Sequence, residues 1–180
     1  MVFRPGTNKT KEDAAMNTSS SVANELGKLL IEKKLFLTTA ESCTGGHVAS
    51  TLCAADDTPT FYGTGFVTFN DEAKKTVLNV SPETLDKYTA VSSQTVSEMS
   101  TGALRCASAD VSLAVSGYAG PEGGEDGTPA GTVWFAWQLP EAKIYTRSAH
   151  FNGDCESVIV QATDYALAEM LSLLKQNNPT

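Results

Sequence analysis

Hydrophobic residues recur at two different spacings along the chain, and these spacings predict alternating helices and strands. Apolar residues between positions 22 and 30 repeat every three to four residues and predict a helix over 19–34. The apolar run 35–40 follows directly and predicts a buried strand. The segment 41–46 contains two glycines and precedes another helical pattern, so a strand, a tight loop and a helix are expected in succession.

The rest of the chain continues this alternation and ends in a hairpin and a helix. Strands are predicted over 61–69, 110–116, 131–138 and 143–151, and helices over 70–78, near Ser92 and over 154–174. Ser81 before Pro82 is typical of a capped helix start. The predicted order is α-β-α-β-α-α-β-β-β-α. It favours an α/β fold, a three-layer α/β/α sandwich with a mixed, mostly parallel sheet.

Length and composition predict one domain. A chain of 180 residues with 41% hydrophobic residues buries enough surface for a single core. Residues 1–17 are polar and without a periodic pattern, and Met16 lies inside them. We therefore expect a flexible N-terminal arm over 1–17 and a single domain over 18–176.

Charge and residue usage argue against several classes of protein. The formal net charge is −8, from 13 Lys and Arg against 21 Asp and Glu, which disfavours a nucleic-acid surface. No apolar run reaches the roughly 20 residues of a membrane span, and no secretion signal is present. The four cysteines form no C-x-x-C pair and the histidines number two, which disfavours a metal site. We expect a cytoplasmic protein.

The loop 41–46 is the first candidate for chemistry. A strand-to-helix turn presents backbone N–H groups that can bind an anion or a developing oxyanion, and Ser42 lies beside them. The alternative interpretation is an ordinary helix cap. Cys43 is a second possible nucleophile, but no histidine base is near it in the sequence, so Ser42 is favoured.

Two further segments are candidates. Lys74, on the short helix 70–78, can act as the base for a serine if it is buried, although a solvated helix face explains the same charges. The glycine-rich loop 116–124 lets the backbone approach a phosphate or a ribose closely, although it can be a plain loop. It is neither a Walker loop nor a dinucleotide fingerprint.

Several motifs in one order resemble the C-terminal domain of the CinA (competence/damage-inducible) family over roughly 21–173. They are T-A-E-S-C-T-G-G (39–46), D-E-A-K (71–74), A-V-S (90–92), S-G-Y-A-G-P (116–121) and G-T-V-W (131–134). The resemblance implies a homo-oligomer that hydrolyses the carboxamide of nicotinamide mononucleotide, a pyridine nucleotide, without metal or organic cofactor. It implies Ser42 as nucleophile and Lys74 as its partner. The implied substrate-binding positions are Cys43, Thr44, Gly45, Gly46, Asp71, Ser116, Gly117, Ala119, Gly120 and Cys155.

The chain departs from the family pattern at the site. Where the family has Y-S-N-E-A-K, this chain has Phe69 in place of the tyrosine and Asp71 in place of the asparagine. Where the family has F-x-G-D-R, this chain has Cys155 in place of the arginine. A second arginine position holds Ile159. We therefore expect a weak or inactive nicotinamide mononucleotide amidohydrolase. The alternatives are an active serine/lysine amidohydrolase and a non-catalytic protein that binds a pyridine nucleotide or has a regulatory role.

Overall fold

The computed structural model describes residues 11–177, and of residues 11–17 it describes the backbone. Over this range helices and strands alternate before a hairpin and a long last helix. The helices are α1 Lys11–Lys33, α2 His47–Cys53, α3 Asp71–Leu78, α4 Pro82–Tyr88, α5 Ser93–Ala107 and α6 Cys155–Gln176. The strands are β1 Leu37–Glu41, β2 Tyr62–Val67, β3 Val111–Gly117, β4 Thr132–Leu139 and β5 Lys143–His150.

The strands form one mixed sheet in the order β2-β1-β3-β4-β5. β1 pairs parallel with both β2 and β3, and β4 pairs antiparallel with β3 and β5. Four of the five strands consequently run in one direction, with β4 reversed. The carboxyl ends of β2, β1 and β3 therefore lie side by side at one edge of the sheet, where open α/β sheets bind ligands.

The core has two halves, one on each face of the sheet. One face packs side chains such as Leu113, Phe135 and Trp137 against α1, α2 and α6. The other face presents Ala40, Ala114 and Ala136, whose small side chains let α5 pack closely on the middle of the sheet. Helices on both faces complete the three predicted layers.

Most predicted elements are confirmed, with two differences. The structure has three helices between β2 and β3 instead of two, because α4, begun by Pro82 and capped by Ser81, is separate from α5. Helix α1 begins at Lys11, within the segment predicted as an arm, while residues 1–10 lie outside the described part of the chain. None of the described helices is long and apolar enough to cross a membrane.

Candidate functional site

Three neighbouring strand ends bring the candidate segments together. Glu41 at the end of β1 is in register with Val67 of β2 and Val115 of β3. The ladder continues one step further, since the Thr68 amide donates to the Glu41 carbonyl and the Ser42 amide to the Val115 carbonyl. The loops after β1, β2 and β3 therefore surround Ser42.

Ser42 and Lys74 are in direct contact. Ser42 Oγ lies 2.9 Å from Lys74 Nζ, and both side chains are buried, with exposed fractions of 6% and 1%. Ala40 faces the core on the α5 side, so Ser42, two residues on, faces the same side and meets the lysine from α3. The predicted proximity of serine and lysine is confirmed; the catalytic roles of the two residues stay a prediction.

Two further contacts of Lys74 and its burial affect how readily the amine loses its proton. Nζ donates to two backbone carbonyls, 3.0 Å to that of Thr68 and 2.9 Å to that of Phe69. Burial lowers the pKa of Lys74 below its usual 10.5, against smaller opposing effects of Asp71 and Cys43. A neutral amine has two hydrogens and one lone pair. Nζ also donates to Ser42 Oγ at 2.9 Å, so loss of the amine's third hydrogen would leave a lone pair on the side of the serine.

The loop after β1 is held by the buried carboxylate of Glu41. Its Oε1 accepts from Thr44 Oγ1 at 2.7 Å and from the Val48 amide at 2.8 Å, and its Oε2 accepts from the Ala49 amide at 3.0 Å. Gly45 and Gly46 have φ of 58° and 100°, which glycine adopts without strain, and Gly46 caps α2. The carboxylate thus attaches the first turn of α2 to the end of β1.

This folding leaves amides free beside the serine. The Gly45 amide donates to the Ser42 carbonyl and the His47 amide to the Thr44 carbonyl. Within the described residues, no hydrogen-bond partner is found for the amides of Thr44 and Gly46. Free N–H groups next to a nucleophile are what an oxyanion requires.

Cys43 does not present its side chain to the site. Its thiol is buried in the core on the α2 side, and burial raises the pKa of the thiol to about 12. A thiol that stays protonated is a poor nucleophile. The thiol is therefore a poor candidate for a nucleophile, and a substrate-binding role for Cys43 stays a prediction.

The loop after β3 is ordered by its own contacts. Ser116 Oγ donates to the Ala90 carbonyl at 2.7 Å, and Gly117 packs so closely on β4 that a Cβ there would lie 2.7 Å from the Thr132 carbonyl oxygen. Ala119 packs partly against the core, and Gly120 has φ of 110°. Ser116 and Gly117 hence hold the loop in place, and a substrate-binding role for them and their neighbours stays a prediction.

Two of the positions at which this chain differs from the family pattern, Phe69 and Cys155, lie at the rim of the site. The Phe69 ring is 70% exposed, although the Phe69 carbonyl accepts from Lys74 Nζ and, at 3.2 Å, from Ser42 Oγ. Cys155 begins α6 and, with Glu156 and Ile159, borders a shallow depression whose other wall is Gly45 and neighbouring residues of the loop after β1. That depression has neither Lys nor Arg among its described lining residues.

Asp71, the third position that differs from the family pattern, is the first residue of α3 and is exposed. Its charge acts on Lys74 and also on Tyr118 of the loop after β3. Burial, with Asp126 and Asp71 contributing, raises the pKa of Tyr118. The Asp71 carboxylate is therefore close enough to act both on Lys74 of its own helix and on the loop after β3. No group of three or more His, Cys, Asp or Glu side chains in the described residues is arranged to hold a metal ion.

The sequence analysis gave no role to Glu41, although it lies in the candidate loop 41–46, and it did not single out Thr68. Glu41 is a buried carboxylate that holds the loop, and Thr68 is a buried residue next to Ser42 whose hydroxyl has no partner. Polar residues at positions that a strand buries were the available signal, because Glu41 ends β1 and Thr68 directly follows β2.

Comparison with known proteins agrees with the fold and the motifs. The profile of the CinA C-terminal domain matches residues 19–174. Protein YdeJ of Escherichia coli K12 is 57% identical over 158 residues, covering 88% of this chain and 91% of that protein. Nicotinamide-nucleotide amidohydrolase PncC of the same strain is 41% identical over 156 residues, covering 87% and 94%.

A solved structure shows the same architecture. The competence damage-inducible protein A from Klebsiella pneumoniae superposes with a TM-score of 0.87 at 53% identity, covering 89% of this chain and 99% of the other. The profile match extends over most of the chain and over every segment that forms the site. The chain therefore belongs to the CinA C-terminal domain family.

Proposed function

We propose that this chain is a serine–lysine amidohydrolase of the CinA type whose action on nicotinamide mononucleotide is weak or absent. The observation that carries the proposal is the buried 2.9 Å contact between Ser42 Oγ and Lys74 Nζ. A serine becomes a nucleophile when an adjacent base takes its proton, and a desolvated lysine can be that base. The relative named nicotinamide-nucleotide amidohydrolase supports the amide as the bond that is cleaved.

The first half of the reaction forms an acyl-enzyme. As the Oγ–carbon bond forms, the Ser42 proton moves to Lys74 Nζ, and the amide oxygen becomes an oxyanion. The free amides of Thr44 and Gly46 are the available donors for that oxyanion. Lys74 then gives the proton to the amide nitrogen, the carbon–nitrogen bond breaks, and ammonia leaves.

The second half returns the serine. Water adds to the ester carbon while Lys74 takes its proton, and Lys74 returns that proton to Ser42 Oγ as the ester bond breaks. The products are a carboxylic acid and ammonia, which exchange a proton to give a carboxylate and ammonium, and the lysine ends in its starting state. The two carbonyls that accept from Nζ also stabilise the ammonium that exists between these steps.

The departures reduce the fit to nicotinamide mononucleotide itself. Phe69 has no hydroxyl to relay a proton, which typically costs about 10²- to 10⁴-fold in rate. Asp71 adds a negative charge near Lys74, which disfavours an anionic substrate, and Cys155 supplies no cation for a phosphate. A working nicotinamide mononucleotide amidase is the second candidate, and the intact Ser42–Lys74 contact favours it.

Ammonia release measured over a panel of primary amides tests the proposal. The panel contains nicotinamide mononucleotide, nicotinamide riboside, nicotinamide and simple aliphatic amides. We expect release from at least one amide, little from the mononucleotide, and none from Ser42→Ala. Rapid release from the mononucleotide selects the second candidate. Binding of the mononucleotide without release from any amide, in a folded protein, selects a non-catalytic binding protein.

A further inference from the structure

The shallow depression at the start of α6 lies one short loop away from Ser42. Its volume is about 570 Å³, enough for a sugar-sized group. Two successive turns lead from the serine to it, since the Gly45 amide donates to the Ser42 carbonyl and the His47 amide to the Thr44 carbonyl. Each such turn holds its two ends within about 7 Å of each other. A substituent of an amide bound at Ser42 can therefore extend into the depression.

His47 lines this depression and is bonded to α6 through one nitrogen of its ring. His47 Nδ1 lies 3.0 Å from Thr163 Oγ1. The Thr163 hydroxyl donates its single hydrogen to the Ile159 carbonyl at 2.9 Å, so towards the histidine it acts as an acceptor. Nδ1 therefore carries a hydrogen. In the neutral ring the other nitrogen, Nε2, then has a lone pair.

The Nε2 atom of His47 is unpaired and accessible. Within the described residues, the bond of Nδ1 to Thr163 is the side-chain hydrogen bond found for this histidine. Over the same part of the chain, the buried side-chain atom without a partner is Thr68 Oγ1, so the unpaired Nε2 must be in contact with solvent. The half-buried ring is thus fixed at one nitrogen and presents the other as a hydrogen-bond acceptor.

The rest of the lining suits a group that donates hydrogen bonds and carries no negative charge. Glu156 adds a carboxylate, which is a second acceptor, and the described lining contains neither Lys nor Arg. Ile159 and Cys155 supply apolar surface. A phosphate has acceptors and a charge of the same sign as Glu156, whereas a sugar has hydroxyl donors at its edge and C–H groups on its face.

We propose that this depression binds an uncharged, hydroxyl-bearing substituent of the amide substrate, such as an unphosphorylated ribose, and that His47 Nε2 accepts a hydrogen bond from one of its hydroxyls. The inference rests on the proposed function, because the occupant is part of the amide that Ser42 attacks. It names the substrate class as carboxamides attached to a nucleoside instead of a nucleotide. His47 is then a specificity-determining residue that takes no part in bond cleavage.

Binding to Ser42→Ala, which lacks the nucleophile, tests the substrate class. Nicotinamide riboside and 1-methylnicotinamide present the same cationic pyridinium carboxamide, and the riboside adds hydroxyls. We expect calorimetry to show tighter binding of the riboside than of 1-methylnicotinamide or nicotinamide mononucleotide. Equal affinity for the two cations, tighter binding of the mononucleotide, or no binding of the riboside at millimolar concentration would overturn the inference.

Two substitutions of His47 in the same background test its role. His47→Asn retains a donor for Thr163 but has no atom at the place of Nε2. It should weaken riboside binding by about 2- to 10-fold, the effect of one hydrogen bond, and leave 1-methylnicotinamide binding unchanged. His47→Gln extends an acceptor to that place and should retain the affinity. Unchanged riboside binding in His47→Asn would refute the role of His47. If this variant fails to fold, His47→Ala provides the same comparison.

The second histidine is the matched control. His150 is exposed on β5 and does not border the depression, so His150→Asn should leave riboside binding unchanged. Long-range proton–nitrogen NMR spectra of the neutral His47 ring should show the hydrogen on Nδ1 and a shift of the Nε2 resonance when riboside is added. A hydrogen on Nε2 would contradict the inference.

The binding experiment is independent of turnover, so the two proposals can fail separately. Riboside binding that depends on His47, without ammonia release from any amide by the parent protein, would refute the proposed function and leave the binding site. Ammonia release from the riboside that is equally efficient in the parent and in His47→Asn would refute the role of His47 and leave the proposed function.

Discussion

At the scale of single residues, the site depends on a lysine that is buried among carbonyls instead of carboxylates. The hydrogen-bond partners of Lys74 Nζ are two backbone oxygens and Ser42 Oγ, so no carboxylate contacts the amine, and the charge of Asp71 only partly opposes the effect of burial. Burial therefore lowers the pKa of Lys74. A lysine in an ion pair would keep its proton and could not act as a base.

This state of Lys74 predicts how the reactivity of Ser42 depends on pH. The neutral amine is the active form, so modification of Ser42 by a fluorophosphonate should speed up as pH rises through a midpoint below 10.5. Mass spectrometry of the adduct measures the rate. Lys74→Met should abolish the modification of Ser42, whereas Lys75→Met, at the half-buried neighbour paired with Glu72, should preserve the rate and its pH dependence. A rate independent of pH in the parent protein contradicts Lys74 as the base.

The same shift predicts the pH dependence of stability. The unfolded lysine holds its proton up to about 10.5, while the folded one loses it at lower pH. Between the two values the unfolded chain binds more protons, so the contribution of Lys74 to the free energy of unfolding rises with pH. Urea unfolding of the parent and of Lys74→Met should show this rise in the parent alone. Parallel curves for the two proteins would contradict the lowered pKa.

At the scale of elements, the loop between β1 and α2 decides whether Ser42 is presented correctly. Glu41 accepts three hydrogen bonds there, two of them from amides of the first turn of α2. Glu41→Gln replaces one accepting oxygen by an NH₂ group, which opposes a donor. We expect a loss of about 1–3 kcal/mol in the free energy of unfolding and slower Ser42 modification.

The control for this prediction is a carboxylate that forms an exposed contact. Glu72→Gln removes a surface pair with Lys75 and should change the free energy of unfolding far less than Glu41→Gln does. Urea unfolding of both variants gives the comparison. Equal effects of the two substitutions would mean that Glu41 does not hold the loop.

The elements themselves were largely predictable, because periodicity and caps are local signals. Ser81 and Ser92 cap α4 and α5 by accepting from amides three residues on, and β3 lies in the centre of the sheet as its apolar run indicated. The contacts within the site were not predictable in the same way. Lys74 binds backbone carbonyls, which every residue type possesses, and Thr68 is notable for a contact it lacks.

At the scale of the whole molecule, the negative charge of the protein affects which amides can bind at the proposed site. The net charge is −8, Glu156 borders the depression beside the start of α6 where the family pattern supplies arginine, and the charge of Asp71 acts near Lys74. A phosphate gains little from such surroundings, whereas the cationic pyridinium ring of a nicotinamide nucleoside is not repelled. A homo-oligomer remains a prediction that sedimentation can decide.

Reversing the departures should therefore restore action on the mononucleotide in particular. In the triple variant Phe69→Tyr, Asp71→Asn, Cys155→Arg, the exposed Phe69 ring leaves room for the added hydroxyl. A restored proton relay contributes about 10²-fold in rate, and a charge-assisted phosphate contact about 1.5–3 kcal/mol in binding. We expect ammonia release from nicotinamide mononucleotide to rise by at least about 10²-fold, with a smaller gain for nicotinamide riboside, which has no phosphate.

The control is Ser42→Ala in the triple variant, which must abolish the gain, because neither restored group has a step to assist without the nucleophile. Equal gains for mononucleotide and riboside would assign the effect to Phe69→Tyr and remove the argument from charge. If the triple variant folds, binds the mononucleotide and releases no ammonia, the defect lies outside these three positions. The segment to examine is then the loop after β3, where Gly120 and Gly131 adopt positive φ and set the path of the backbone opposite Ser42.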